Sequence, residues 1–322
     1  MVLSVFRVLV FFSLFFMGRF AACAASNEQF QNLLNSDPSR VSAEHCKRAP
    51  QFQYVFVPGI FNELMPYYFA DQIKWLAHCG VAKKDIHVAK TSSTLTLFAA
   101  AQTLESQFQR LLSKEPKKRL VIMGHSKGAP EALAAILQSS REVQEHVASI
   151  VLVQGSFAGT PIADLALGHH SRFHSHSDPL VERAARKLAK ILNWAIHFYG
   201  PDILSGVLYI KPAEALKFWS PFLKAHSDST ILLENKILVL QTHKKKSRLN
   251  ALILPSGEYL SRITLEESDG IIPFSSQMPP IENLKSAILS LDHLDTVLPR
   301  IFSFSSPQIR YHLMASIVGA TR

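Results

Sequence analysis

The sequence predicts an α/β fold, with a mostly parallel central sheet, helices on both faces and an inserted helical segment. Three observations lead there. Short, nearly unbroken apolar runs alternate with longer stretches of helical spacing, as strands buried on both faces require. One run, Leu120 to Met123, passes through Gly124-His125-Ser126-Lys127-Gly128 directly into an alanine-rich helical stretch. The strand–helix rhythm then stops between Leu165 and Asn235 and resumes afterwards.

Residues 1–25 read as a secretory signal peptide. Arg7 precedes an uncharged run from Val8 to Gly18, and the small residues AACAAS follow. The run is shorter than the roughly 20 residues that a membrane span needs. An uncleaved interfacial anchor is the alternative reading. Phe20-Ala21-Ala22-Cys23 also resembles a bacterial lipoprotein box, with Arg19 and Phe20 as poor fits. The expected location is secreted or periplasmic, with a Cys23-anchored lipoprotein as the lesser reading. Beyond Cys23 the only cysteines are Cys46 and Cys79. In an oxidising compartment they can pair, and two separate buried thiols are the alternative.

Residues 26–322 fit one domain. The whole chain has 322 residues, 48% hydrophobic and 18% charged, enough apolar material for a sizeable core. Its net charge of +9 serves solubility or attraction to an anionic surface. The basic residues are scattered apart from Lys244-Lys245-Lys246, and no nucleic-acid motif accompanies them, which argues against a nucleic-acid partner. Oligomeric state is not legible.

The elements follow in order. Ser26 to Pro50 is a polar lead. QFQYVFVPG reads as a strand stopped by Pro58-Gly59, Leu64 to His78 as a helix, and DIHVAK as a short strand. Thr94 to Ser113 is an amphipathic helix, Leu120 to Met123 a buried strand, and Ala129 to Ser139 the helix behind it. ASIVLVQG and KILVLQTH are further strands. Between them, at about 165–235, lies an insertion expected to form a cap or lid. Its stretch from Leu180 to Phe198 sets Arg183, Arg186, Lys187 and Lys190 against apolar residues that include Trp194. That helix can touch a lipid surface or turn its apolar side to the core. SAILSLDHLDTV reads as a strand ending at His293, and YHLMASIV as a terminal helix.

Gly124-His125-Ser126-Lys127-Gly128 is a G-x-S-x-G pattern between strand and helix. Such a turn is sharp and lifts a serine hydroxyl clear of the sheet, so its flanks must be small. A hydroxyl alone is a poor nucleophile. It needs a basic imidazole, which in turn needs an orienting carboxylate, and in this arrangement the chain order is Ser, acid, His. Asp269, before Gly270, and His293 satisfy that order 24 residues apart. Asp269 is also a natural turn-former, and Glu266 and Glu267 lie close by. His312 falls in the terminal helix, where packing is its simpler use. An oxyanion needs two backbone donors. Lys127 supplies one. VPGIFNE supplies the other, with Ile60 as first candidate and Phe61 as second.

These segments resemble the α/β-hydrolase superfamily, and within it the secreted bacterial triacylglycerol lipases and esterases. VFVPGIFNE is similar to their oxyanion loop, with Pro58 where a His is usual. GHSKGAPEAL, including Pro130, is similar to their nucleophile elbow. SIVLVQGSFAGTPIAD is similar to the following strand and loop, with Gly159, Thr160, Pro161 and Asp164 in register. SDGIIPFSS and LDHLDTV are similar to the acid and histidine segments. The resemblance covers about Gln53 to Val297 and implies the α/β-hydrolase fold, with Ser126, Asp269 and His293 as a triad. Many relatives hold a structural calcium near the histidine loop, and Asp295 matches one ligand position. The partner carboxylate would lie before the acid loop, but the stretch from Asn235 to Ser268 contains no Asp, only Glu258, Glu266 and Glu267, which argues against calcium.

His169, His170, His174 and His176 raise a metal reading, but no cysteine or carboxylate geometry joins them. No cofactor is expected. The expected activity is hydrolysis of carboxylic esters, with lipid esters as the expected substrates, through a Ser-His-Asp acyl-enzyme. Alternatives are another acyl hydrolase, such as a polyester depolymerase or thioesterase, or a non-catalytic surface binding protein on a hydrolase scaffold.

Overall fold

The computed structural model describes residues 27–167, 179–300, 303 and 305–321. The N-terminal leader with Cys23, and the stretch holding His169, His170, His174 and His176, lie outside the described residues.

Six strands form one sheet: β1 Phe52–Val57, β2 Ile86–Val88, β3 Arg119–His125, β4 Val147–Val153, β5 Ile237–Thr242 and β6 Ala287–Leu289. Their order is β2-β1-β3-β4-β5-β6, and every neighbouring pair is parallel. The helices are α1 (27–34), α2 Pro38–Cys46, α3 Ala70–His78, α4 Leu97–Lys114, α5 Gly128–Gln138, α6 Arg141–His146 and α7 Pro161–Ala166. Then come α8 Pro179–Tyr199, α9 Ile203–Leu208, α10 Pro212–Ala225, α11 Ser227–Leu233, α12 Leu254–Ile263 and α13 Pro307–Ala320.

Alternate strand residues feed two cores. Tyr54, Phe56, Val121, Met123, Val151, Val153, Leu238 and Leu240 pack under α1, α2, α3 and α13. Val55, Val57, Leu120, Ile122, Ile150, Leu152, Ile237 and Val239 pack under α4, α5 and α6. Burial on both faces explains why these strands read as unbroken apolar runs. Cys46 and Cys79 form a disulfide that ties the end of α2 to the end of α3.

Three expectations are corrected. The polar lead contains α1 and α2. Asp37 caps α2 by accepting from the Ser39 and Arg40 amides, Pro38 takes its first turn, and Phe30, Leu34 and Val41 supply the few apolar anchors. The helix expected from Leu64 starts only at Ala70, because Pro66 interrupts it and Phe69 sits at φ +61°. The last strand ends at Leu289 rather than at His293. Asp292 Oδ1 accepts from the Leu294 and Asp295 amides, and this local turn replaces further pairing.

The strand order places the site. From β1 the chain steps outward to β2, then crosses back to β3 and runs the other way. The loops after β1 and β3 therefore diverge from adjacent carboxyl ends, the crevice where open parallel sheets bind ligands.

Candidate active site

Ser126 follows β3 directly and adopts φ +56°, the left-handed region. A non-glycine residue there carries about 1–3 kcal/mol of strain. Close packing holds it. The Ser126 amide donates to the Val153 carbonyl at 3.0 Å. A methyl group on Gly128 would lie 2.4 Å from the Val57 and Pro58 carbonyl oxygens, so only glycine lets α5 start so close to β1. Gly59 is equally near the serine: a Cβ added there would stand 2.9 Å from Ser126 Cβ. The loops after β1 and β3 thus touch at the serine.

Asp269 and His293 arrive from loops beyond β5 and β6. Asp269 is fully buried. Its Oδ1 accepts from the Ile271 and Ile272 amides at 2.9 and 2.8 Å, and its Oδ2 accepts from His293 Nδ1 at 2.7 Å. The His293 amide also donates to the Asp269 carbonyl. The proton on Nδ1 leaves Nε2 as the basic nitrogen. Among the described residues neither His293 Nε2 nor Ser126 Oγ forms a hydrogen bond. Ser126 and His293 are joined instead through His125, whose ring centroid lies 4.6 Å from that of His293.

His125 is locked from both sides. Its Nδ1 accepts from the Tyr68 hydroxyl at 2.6 Å, and its Nε2 donates to Gln154 Oε1 at 2.9 Å and to the His293 carbonyl at 3.1 Å. The Tyr68 hydroxyl in turn accepts from the Gly59 amide. Burial, and then the neighbouring His293, hold the His125 pKa well below its usual value, so the ring stays neutral and keeps this directional chain intact. Gln154 extends it to Thr242, Thr296 and the Asp292 carbonyl.

The backbone donors separate clearly. The Ile60 and Lys127 amides have no hydrogen-bond partner among the described residues. The Phe61 amide does, donating to Ser93 Oγ at 2.7 Å. Phe61 is therefore removed as an oxyanion candidate, because its donor is already committed. The Lys127 side chain is buried in an ion pair with Glu131, and the Tyr209 hydroxyl donates to Glu131 Oε1 at 3.1 Å. Burial raises the Glu131 pKa against the pull of Lys127.

Asp295 is corrected as a calcium ligand. Lys244 Nζ lies 2.5 Å from Asp295 Oδ2 and 3.2 Å from Asp292 Oδ2, so an ammonium already occupies the space between the two carboxylates that flank His293 and offsets part of their charge. A divalent ion there would meet that positive charge. Among the described residues no cluster of three or more His, Cys, Asp or Glu side chains has metal-binding geometry.

The fold is shared with solved structures. A metagenomic carboxyl esterase superposes with a TM-score of 0.58 at 18% identity, over 83% of this chain and 74% of that one. A Bacillus licheniformis lipase in its mature form superposes with a TM-score of 0.51 at 15% identity, over 76% of this chain and 85% of that one. The chain has the α/β-hydrolase fold. No family model and no curated protein matches the sequence. In this α/β-hydrolase fold, Tyr68, Gln154, Glu63, Ser93 and Lys244 support the site although no motif singles them out; Glu63 and Gln154 merely fall inside the segments VFVPGIFNE and SIVLVQGSFAGTPIAD. Their other sequence signal is a polar group in a loop, which many surface residues share.

Proposed function

We propose that this chain is a secreted serine hydrolase that cleaves carboxylic esters, with Ser126, His293 and Asp269 as its reacting groups. The observation that carries the reading is the Asp269–His293 hydrogen bond at 2.7 Å beside a serine strained onto the crevice of the sheet. Ser126 Oγ attacks the acyl carbonyl while His293 Nε2 takes its proton. Asp269 holds the imidazole and stabilises the cation that forms. The Ile60 and Lys127 amides receive the oxyanion, each worth about 10²–10³ in kcat. His293 then protonates the leaving alcohol, and a water that it activates releases the acid. Catalytic hydrogen bonds often tighten only once substrate is bound, which accommodates the open Ser126 hydroxyl.

A lipid ester is the favoured substrate class. On α8, Ile191, Trp194 and Phe198 are exposed along one side, with Arg183, Arg186, Lys187 and Lys190 exposed toward its start. Exposed aromatic residues beside basic ones suit a lipid interface. The two similar structures are described as a carboxyl esterase and a lipase, which agrees with this class. The Cys46–Cys79 disulfide supports an oxidising compartment, in line with a cleaved leader at 1–25.

A fluorophosphonate probe tests the mechanism: it should label the wild type and spare Ser126→Ala. Folded wild type that stays unlabelled would sink it and leave the binding-protein alternative. Short and long p-nitrophenyl esters, emulsified triglyceride, polyester and thioesters assayed side by side then decide among acyl hydrolases.

A further inference from the structure

The loop after β1 does not hold itself. Phe61 sits at φ +65°, a conformation that needs outside support, and its amide is pinned by Ser93 Oγ at 2.7 Å. The Ser93 hydroxyl has a single hydrogen, and it is donated to Glu63 Oε2 at 2.6 Å. The Ser93 oxygen can then only accept, and Phe61 is what it accepts from. The Ser93 amide donates to Glu63 Oε1 at 2.8 Å, and the Tyr199 hydroxyl, at the end of α8, donates to Glu63 Oε2 at 3.0 Å. The surroundings push the Glu63 carboxyl up by desolvation, yet the bonds from Ser93 and Tyr199 leave it below its usual value, so it is anionic and purely an acceptor. The segment holding Ser93 is itself pressed from outside: α9 approaches so closely that a Cβ on Gly206 would stand 1.8 Å from the Ser93 carbonyl oxygen.

We propose that Glu63, acting through the Ser93 hydroxyl, is a positioning residue that fixes Phe61 and thereby aims the Ile60 amide at the oxyanion. The inference rests on the ester-hydrolase reading above. Ser93 occupies the neighbouring amide, so one donor of the loop is withdrawn and the next is presented to the crevice. Tyr199 and α9 join the relay to the helices between β4 and β5, so those helices help to set the catalytic loop as well as cover it.

The test compares Ser93→Ala, Glu63→Ala and Ser93→Thr on a soluble p-nitrophenyl ester, with inhibition by an alkyl trifluoromethyl ketone, whose serine adduct carries an oxyanion. Ser93→Ala and Glu63→Ala should lower kcat at least tenfold with KM within twofold. Ketone inhibition should weaken by the same factor as kcat. Ser93→Thr, which keeps the hydroxyl, should restore most of the rate. Should Glu63→Ala fail to fold by thermal melting, the isosteric Glu63→Gln replaces it with the same expectation in reduced degree. An active wild type whose folded variants keep kcat and ketone affinity overturns the relay alone, as does a loss seen only in KM. Absence of Ser126-dependent hydrolysis in the wild type overturns the ester-hydrolase reading and the relay with it.

Discussion

The carboxyl edge of the sheet and the helices between β4 and β5 use similar residues to opposite ends. At the edge even the polar groups are enclosed: His125 is 1% exposed, Lys127 2%, and Asp269 0%. On α8 the large apolar groups are open instead, with Trp194 at 54% and Phe198 at 58%. The edge uses its burial to hold directions: His125, Lys127 and Asp269 each have a named partner, while the Ser126 hydroxyl and His293 Nε2 are left open between them. The helical segment leaves aromatic surface uncovered, as a surface that meets something else does. Enclosed polar geometry and exposed aromatic surface are thus divided between two regions, and they meet where Tyr199 reaches Glu63.

Substitutions can break that division, the strongest at the edge. Asp269→Asn should lower kcat by about 10⁴-fold, because the asparagine side chain no longer holds His293 in the productive tautomer. Steady-state rates on a soluble ester check this, and near-normal turnover would remove Asp269 from the mechanism. Lys244→Met should come next. It leaves Asp292 and Asp295 buried without their cation, at a loss of about 3–5 kcal/mol that denaturant unfolding would register. An unchanged midpoint would mean that the two carboxylates are held by their backbone donors alone.

A pH effect of intermediate size follows from His125. Its folded pKa lies well below the usual 6.5. The unfolded chain therefore takes a proton that the folded chain refuses. Stability from keeping this ring neutral is complete above about pH 6.5 and drains away as pH falls toward the depressed folded value. His125→Asn should flatten that part of the stability curve, and a variant with the wild-type slope would assign the effect to other buried histidines such as His45.

The smallest effect is expected on α8. The double substitution Trp194→Ala with Phe198→Ala should reduce hydrolysis of an emulsified triglyceride several-fold and leave a soluble short-chain ester within twofold, since exposed residues give up little folding energy. Equal losses on both substrates would show that α8 serves the edge rather than an interface.

Much of this was legible before any coordinates. Unbroken apolar runs at Phe52–Val57, Val147–Val153 and Ile237–Thr242 marked buried parallel strands, and glycines on both sides of Ser126 marked the turn after β3. Asp269 and His293 stood in the chain order that such a turn requires, and the structure joins them by a hydrogen bond. Less visible were α1 and α2, whose few apolar residues fall below the density of a periodic pattern. The choice between Ile60 and Phe61 was not legible at all. It depends on Ser93, which is 32 residues away in sequence from Phe61.

The sequence alone therefore determined the local features: strand and helix order, the glycine-flanked serine, and the candidate acid and base. These follow from neighbours within a few residues, where periodicity and steric size act directly. Tertiary structure alone decided which amide stays free, which ring is locked neutral, and which cation sits between Asp292 and Asp295. Each of those outcomes is a hydrogen bond or ion pair between residues distant along the chain, and the energy of such a bond exists only once folding has brought its two ends together.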